Sequence, residues 1–159
     1  MKFTKMQGIG NDYIYVNCFK EKVEHPENVA RRISDRHFGV GSDGLVLICP
    51  DPEADFRMRM FNADGSESEM CGNAARCVGK YVFDRGLTKK TEVSLMTGAG
   101  IKILKINAEK RKTLSVRVDM GEPEVQGLGE KVTAKDREFV FTRVSTGNPH
   151  AVIFVDEVD

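Results

Sequence analysis

Apolar and polar residues alternate at short period along most of the chain. Phe56-Arg57-Met58-Arg59-Met60 switches at every residue, and Tyr13-Ile14-Tyr15-Val16-Asn17-Cys18-Phe19 concentrates aromatic and β-branched side chains. Both patterns predict strands. Similar runs at 45–49, 92–95, 101–106, 114–118, 139–144 and 151–155 are separated by Gly, Asn, Asp or Pro turns, the punctuation of a β-rich protein. Two stretches change period. Pro26, Val29, Ala30 and Ile33, closed by Gly39, predict a short helix that begins on proline. Ala74, Ala75, Val78, Tyr81 and Val82, stopped by Gly86, predict a longer one with few charges in its first turns, a helix enclosed by sheet. Near Asp119–Pro123 the strand rhythm yields to Gly121, Pro123, Gly127 and Gly129. That shift suggests a domain boundary or a long turn, and we divide the chain into 1–118 and 119–159.

Composition narrows the class. The 159 residues are 40% hydrophobic and 30% charged, which describes a folded globular chain. Lysines and arginines number 24 against 24 acids, so no basic excess draws nucleic acid or an anionic membrane. The expected partner is a small molecule or another protein. No apolar run approaches the roughly 20 residues of a membrane span, and Met1-Lys2-Phe3-Thr4-Lys5 lacks the apolar stretch of a secretory signal, so a soluble cytoplasmic protein is expected. The chain stops at Asp159 just after the strand-like run 151–155, with no closing helix, which suggests an incomplete chain. Four cysteines, Cys18, Cys49, Cys71 and Cys77, form no Cys-x-x-Cys pair, and neither a disulfide scaffold nor a zinc site is expected.

Gly39-Val40-Gly41-Ser42-Asp43-Gly44 spells Gly-x-Gly-x-x-Gly, but a dinucleotide loop needs a strand before it and a helix after. Here the order is reversed, so a turn or ligand-lining loop is expected. The informative stretch runs from Phe61-Asn62-Ala63-Asp64-Gly65-Ser66 to Met70-Cys71-Gly72-Asn73. It leaves a strand, crosses a polar loop and sets Cys71 at the mouth of the enclosed helix. There, unsatisfied N–H groups and the positive end of the dipole stabilise negative charge and can hold a carboxylate. His150 is the candidate partner, as a cation beside the sulfur or as a base for its proton. The plain alternative for Cys71 is a buried structural thiol, and for His150 a turn residue. Cys77 lies about 120° around the helix from Cys71 and is expected in the core. Cys18, Cys49, Met58 and Met60 are expected there as strand residues, and His25 and His37 as caps or surface groups.

These residues resemble the diaminopimelate epimerase family. The likeness rests on Met6-Gln7-Gly8-Ile9-Gly10-Asn11-Asp12-Tyr13, Asn62-Ala63-Asp64-Gly65-Ser66, Met70-Cys71-Gly72-Asn73-Ala74-Ala75-Arg76-Cys77 and Thr146-Gly147-Asn148-Pro149-His150, in the family's order. Asn73 after Cys-Gly separates the chain from the related proline racemases, which carry histidine there. The resemblance implies an α+β fold of mixed sheet or barrel around a central helix, with a second, pseudo-symmetric domain only begun here. It implies a cofactor-independent isomerase that converts L,L- to meso-diaminopimelate in lysine and peptidoglycan-precursor biosynthesis, using one cysteine thiolate and one cysteine thiol. By motif, Cys71 is one of that pair and His150 tunes it. Asn11, Asn62 and Asn148 would bind the distal end of the substrate, while Gly72 and Asn73 offer amides to the reacting carboxylate. Gly44 replaces a substrate-contacting glutamine of some members and is left out of the site. The second catalytic cysteine falls outside these residues, so the isolated chain is expected to be inactive, and its pseudo-symmetry suggests a homodimer of two such chains. The competing readings are a thiol redox sensor, an amino-acid-binding module and, more weakly, a cysteine peptidase.

Overall fold

The computed structural model describes residues 1–157, and the chain divides into two compact units, Met1–Asp119 and Met120–Asp159. The first begins with a hairpin, β1 (Thr4–Gly8) and β2 (Asn11–Asn17). Ile9 and Gly10 join the strands, both at positive φ, 49° and 87°, as a primed two-residue hairpin turn requires. Helix α1 (Pro26–Ser34) then crosses to β3 (Gly44–Cys49), which pairs parallel to β2. Pro26 starts it, Glu27 lies in the first turn and Arg31 and Arg32 in the last, so its charges complement the helix dipole. His25 is the N-cap but makes no capping bond with its side chain.

Strand β4 (Phe56–Asn62) returns antiparallel to β3 and carries the two-residue β5 (Glu67–Ser68) on its end. Helix α2 (Gly72–Asp84) follows, then β6 (Glu92–Thr97) parallel to β4, and the antiparallel β7 (Gly100–Glu109) and β8 (Lys112–Val118). The main path is β1-β2-β3-β4-β6-β7-β8, with β5 off this path and paired to β4. Because α2 touches β1 and β2 at one side and β7 and β8 at the other, the sheet curves around the helix as a half-barrel. This α+β architecture is the expected one.

Two burial patterns follow. The α1 face of the sheet presents Ile14, Val16, Leu45, Leu47 and Phe61 to Ala30, whereas the alternate residues Tyr13, Tyr15, Val46, Ile48, Met58 and Met60 are buried on the other face. Strands covered on both faces read as unbroken apolar runs, which explains Ile14-Tyr15-Val16 and Leu45-Val46-Leu47-Ile48. Helix α2 buries Ala74, Ala75, Cys77, Val78, Gly79 and Val82. At Gly79 an added Cβ would lie 2.9 Å from Val116 and 3.4 Å from Leu104, so a residue without a side chain lets β7 and β8 approach the helix. Asp84 fastens its C-terminal turn by accepting hydrogen bonds from Thr113 N and Oγ1 at 2.8 and 2.7 Å and an ion pair from Lys80 at 2.6 Å.

The second unit is an antiparallel sheet in the order β11-β10-β9, formed by β9 (Glu124–Ala134), β10 (Arg137–Ser145) and β11 (Pro149–Val152). None of its described residues is buried. Here the strand expectations need correction. The stretch carrying Gly121, Pro123, Gly127 and Gly129, expected as a domain boundary or long turn, runs into a strand, Glu124–Ala134, whose pairing with β10 shifts register between Phe141 and Arg143 and again to Val144. Irregular pairing accommodates glycines that a regular central strand would disfavour. The last strand covers 149–152 in place of the expected 151–155, because its register to β10 starts at Ser145–Pro149.

Candidate active site

Strand ends and one helix end build a rim on the first unit. In register across three strands stand Tyr13 of β2, Gly44 of β3 and Asn62 of β4. Gly44 is required there, since a Cβ would sit 2.1 Å from the Phe61 carbonyl oxygen. Over this rim lies the start of α2, whose N-cap is Cys71 in extended conformation (φ −143°, ψ 112°). Its Sγ accepts from the Ala74 amide at 3.4 Å, and its carbonyl accepts from Ala75 N at 2.9 Å. Of the first-turn amides, those of Gly72 and Asn73 have no acceptor among the described residues. They are the orphan donors that a carboxylate can fill.

Side chains around the helix mouth are fixed by polar contacts from three elements. Asn73 Nδ2 donates to Asn11 Oδ1, and Arg76, one turn on, donates to Asn73 Oδ1. Asn11 Nδ2 in turn donates to Asp43 at 3.4 Å. Gly8 allows this meeting of β1 and α2, because a Cβ there would lie 2.8 Å from the Asn73 carbonyl oxygen. Asn62 Nδ2 donates to Ser66 Oγ at 2.9 Å, and Asp64 shapes the same turn by accepting from Ser66 N and Oγ at 2.8 and 2.6 Å.

A charged brace lies behind these groups. Arg36 pairs with Asp12 at 2.8 Å and Asp43 at 3.0 Å, while Lys5 pairs with Asp12 at 3.0 Å. The hydrogen-bonded Arg36 guanidinium, aided by Lys5, holds the Asp12 carboxyl down at about 2. A carboxylate depressed in this way adds stability above its unfolded value and loses that contribution as pH falls through the folded one. An NMR titration should therefore place Asp12 near 2, with its stabilisation fading from about pH 4 downward; Arg36→Ala should move the carboxyl back toward ordinary values. A wild-type midpoint near 4 would show that the brace exerts no such hold.

Sequence reasoning missed two neighbours of the thiols. Tyr13 lies against Cys71, and burial, reinforced by that sulfur, pushes its phenol well above the ordinary value. Tyr13 therefore remains a hydroxyl donor at neutral pH. Tyr15 lies against Cys77 in the same way, and Cys77, at 5% exposure, is the core residue expected from its helical angle. The aromatic alternation in β2 was visible, but the sulfurs that meet those rings lie more than fifty residues away. Met58 and Met60 are buried as expected, and the Gly39–Gly44 stretch joins α1 to β3. Among the described residues no group of three or more His, Cys, Asp or Glu side chains could hold a metal ion, and no helix is long and apolar enough to cross a membrane.

In the second unit, Asn148 and His150 lie together at the β10–β11 turn. His150 Nε2 is 3.1 Å from both Thr146 Oγ1 and Asn148 Oδ1, and Thr146 Oγ1 is 3.2 Å from the same Asn148 oxygen. Thus Cys71, Gly72, Asn73, Asn11 and Asn62 belong to the first unit and Asn148 and His150 to the second.

The family model for diaminopimelate epimerase matches residues 3–126, a stretch that contains the whole helix mouth and its rim. This chain belongs to the diaminopimelate epimerase family. It is 57% identical to the diaminopimelate epimerase of Acetivibrio thermocellus, over 100% of this chain and 61% of that protein. With the diaminopimelate epimerase of Methanococcus maripaludis it shares 54% identity, over 100% of this chain and 62% of that one. The chain thus spans about three fifths of the length of these curated relatives. Two solved structures show the fold at low identity. A hydroxyproline epimerase from Agrobacterium vitis superposes with a TM-score of 0.78 at 18% identity, covering 95% of this chain and 50% of that one. A probable proline racemase from Agrobacterium radiobacter gives 0.79 at 17%, covering 95% and 51%.

Proposed function

We propose that residues 1–118 form the first domain, and 119–159 the opening strands of the second, of a cofactor-independent epimerase that interconverts L,L- and meso-diaminopimelate. The observation that supports this reading is the Cys71 sulfur at the N-cap of α2, beside the unpaired amides of Gly72 and Asn73, within residues that match the family. Cys71 as thiolate removes the α-proton of the substrate. The electron pair left behind spreads into the α-carboxylate, where the Gly72 and Asn73 amides and the helix end meet the growing charge. A thiol on the opposite face, supplied from outside these 159 residues, returns a proton and inverts the centre. His150 serves to tune the Cys71 thiol, and Asn11, Asn62 and Asn148 hold the distal ammonium and carboxylate of the substrate, as neutral amides can serve both.

With a single base on one face of the α-carbon, inversion by the 159-residue chain should be slow or absent, and two such chains are expected to pair, read as dimer mass in sedimentation. The deciding experiment follows L,L-diaminopimelate in deuterated water by NMR. The protein extended to the length of its relatives should exchange the α-hydrogen and yield the meso isomer, while the 159-residue chain should yield little or none. No exchange by the extended protein would refute the epimerase reading. Full turnover by the short chain would refute its incompleteness.

A further inference from the structure

The parallel register of β2 and β3 pairs Tyr13 with Gly44 through Asn17 with Ile48, and Cys18 N donates to the Ile48 carbonyl at 2.8 Å. One further step of that register sets Cys18 beside Cys49. Neighbouring strands lie roughly 4.8 Å apart, within the roughly 4.4–6.8 Å Cα separation that a disulfide spans. Both residues belong to the α1 face, at the border of its apolar cluster, and both are half-buried free thiols. They were expected simply as core. Their setting is more specific than that, since Arg57 pairs in register with Cys49, and Arg59 pairs with Leu47 two residues earlier on the same face.

We propose that Cys18 and Cys49 form a reversible disulfide site, oxidised by small-molecule disulfides of the glutathione class. The inference stands on the sheet register and is independent of the epimerase reading, because neither thiol belongs to the helix mouth.

The reaction proceeds by two exchanges. The Cys49 thiolate attacks one sulfur of the small disulfide, forming a mixed disulfide and releasing one small thiolate. Cys18 then gives its proton to that thiolate and attacks the Cys49 sulfur, closing the Cys18–Cys49 bond and releasing the second small thiolate, which takes the proton first lost by Cys49. Two protein thiols are oxidised and one small disulfide is reduced to two thiols. The order of attack follows from the environment. The hydrogen bond from Cys18 holds the Cys49 thiol below its ordinary value, with Arg59 and Arg57 assisting, while the same contact and burial push Cys18 up. A thiol with more thiolate at neutral pH attacks first.

The test incubates the folded 159-residue chain in a glutathione buffer of fixed oxidised-to-reduced ratio, alkylates the remaining thiols and maps the peptides by mass spectrometry. The expected result is loss of two of the four free thiols, recovered in a Cys18–Cys49 cross-linked peptide and restored by dithiothreitol. Cys18→Ser should trap Cys49 as its glutathione adduct, whereas Cys49→Ser should leave Cys18 reduced. The proposal is overturned if Cys18 and Cys49 are both recovered alkylated, if each carries glutathione without cross-linking, or if the cross-link forms only after unfolding in urea.

Discussion

Replacing Cys71 by serine in the protein extended to the length of its relatives is expected to lower α-hydrogen exchange by about 10²–10⁴-fold, the contribution of a positioned general base. Serine is the informative substitution because its hydroxyl still accepts from the Ala74 amide, as Sγ does at 3.4 Å, so the helix keeps its cap. What is lost is the sulfur proposed as the base. Thermal stability should therefore change little while exchange collapses, and binding of diaminopimelate, proposed to use the amides of Gly72 and Asn73, should persist. Cys77→Ala provides the internal comparison. That thiol is buried, and burial pushes it up, so its loss should leave exchange within a few-fold of the parent. Isotope exchange by NMR and binding by calorimetry separate the two effects. Wild-type exchange in Cys71→Ser would remove the sulfur from the chemistry altogether.

Leu104→Ala should cost about 2–5 kcal/mol of folding stability, the range for emptying a buried leucine site. Leu104 is fully buried on β7 and lies where β7 approaches α2 at Gly79. The enclosed helix cannot settle into the resulting cavity, because Asp84 fastens its far end to Thr113 and Asn73 engages Asn11 at its near end. Urea unfolding followed by circular dichroism measures the change as a lower midpoint with a nearly constant slope. Leu114→Ala on the neighbouring strand, at an exposed position, should shift the midpoint far less. Equal shifts for the two variants would contradict a core centred on α2.

Much of this organisation was legible from residue order. Period-two and β-branched runs announced β2, β3, β4, β6, β7 and β8, and helical spacing of Ala74, Ala75, Val78 and Val82 announced an apolar helix with Cys71 at its entrance. The four motifs carried the family. Strand β1 was not read as a strand, because its burial alternates only between half-buried and exposed residues. Strand β9 was obscured by Gly127 and Gly129, which its irregular pairing absorbs. The motifs named the residues expected at the site, but not the contacts those residues make. Asp12 and Asp43 are 31 residues apart and share Arg36 only because β2 and β3 start side by side.

What the sequence by itself determined, then, is the set of elements and the chemical groups at their ends, because periodicity, turn residues and capping act over a few neighbouring positions. Only the tertiary structure decided which of those groups meet. Tyr13 against Cys71, Asn11 against Asn73 and Cys18 beside Cys49 depend on strand register and on the curvature of the sheet around α2. Those in turn follow from burying two opposite faces of the same strands, a condition set by the whole chain and written in no local stretch of it.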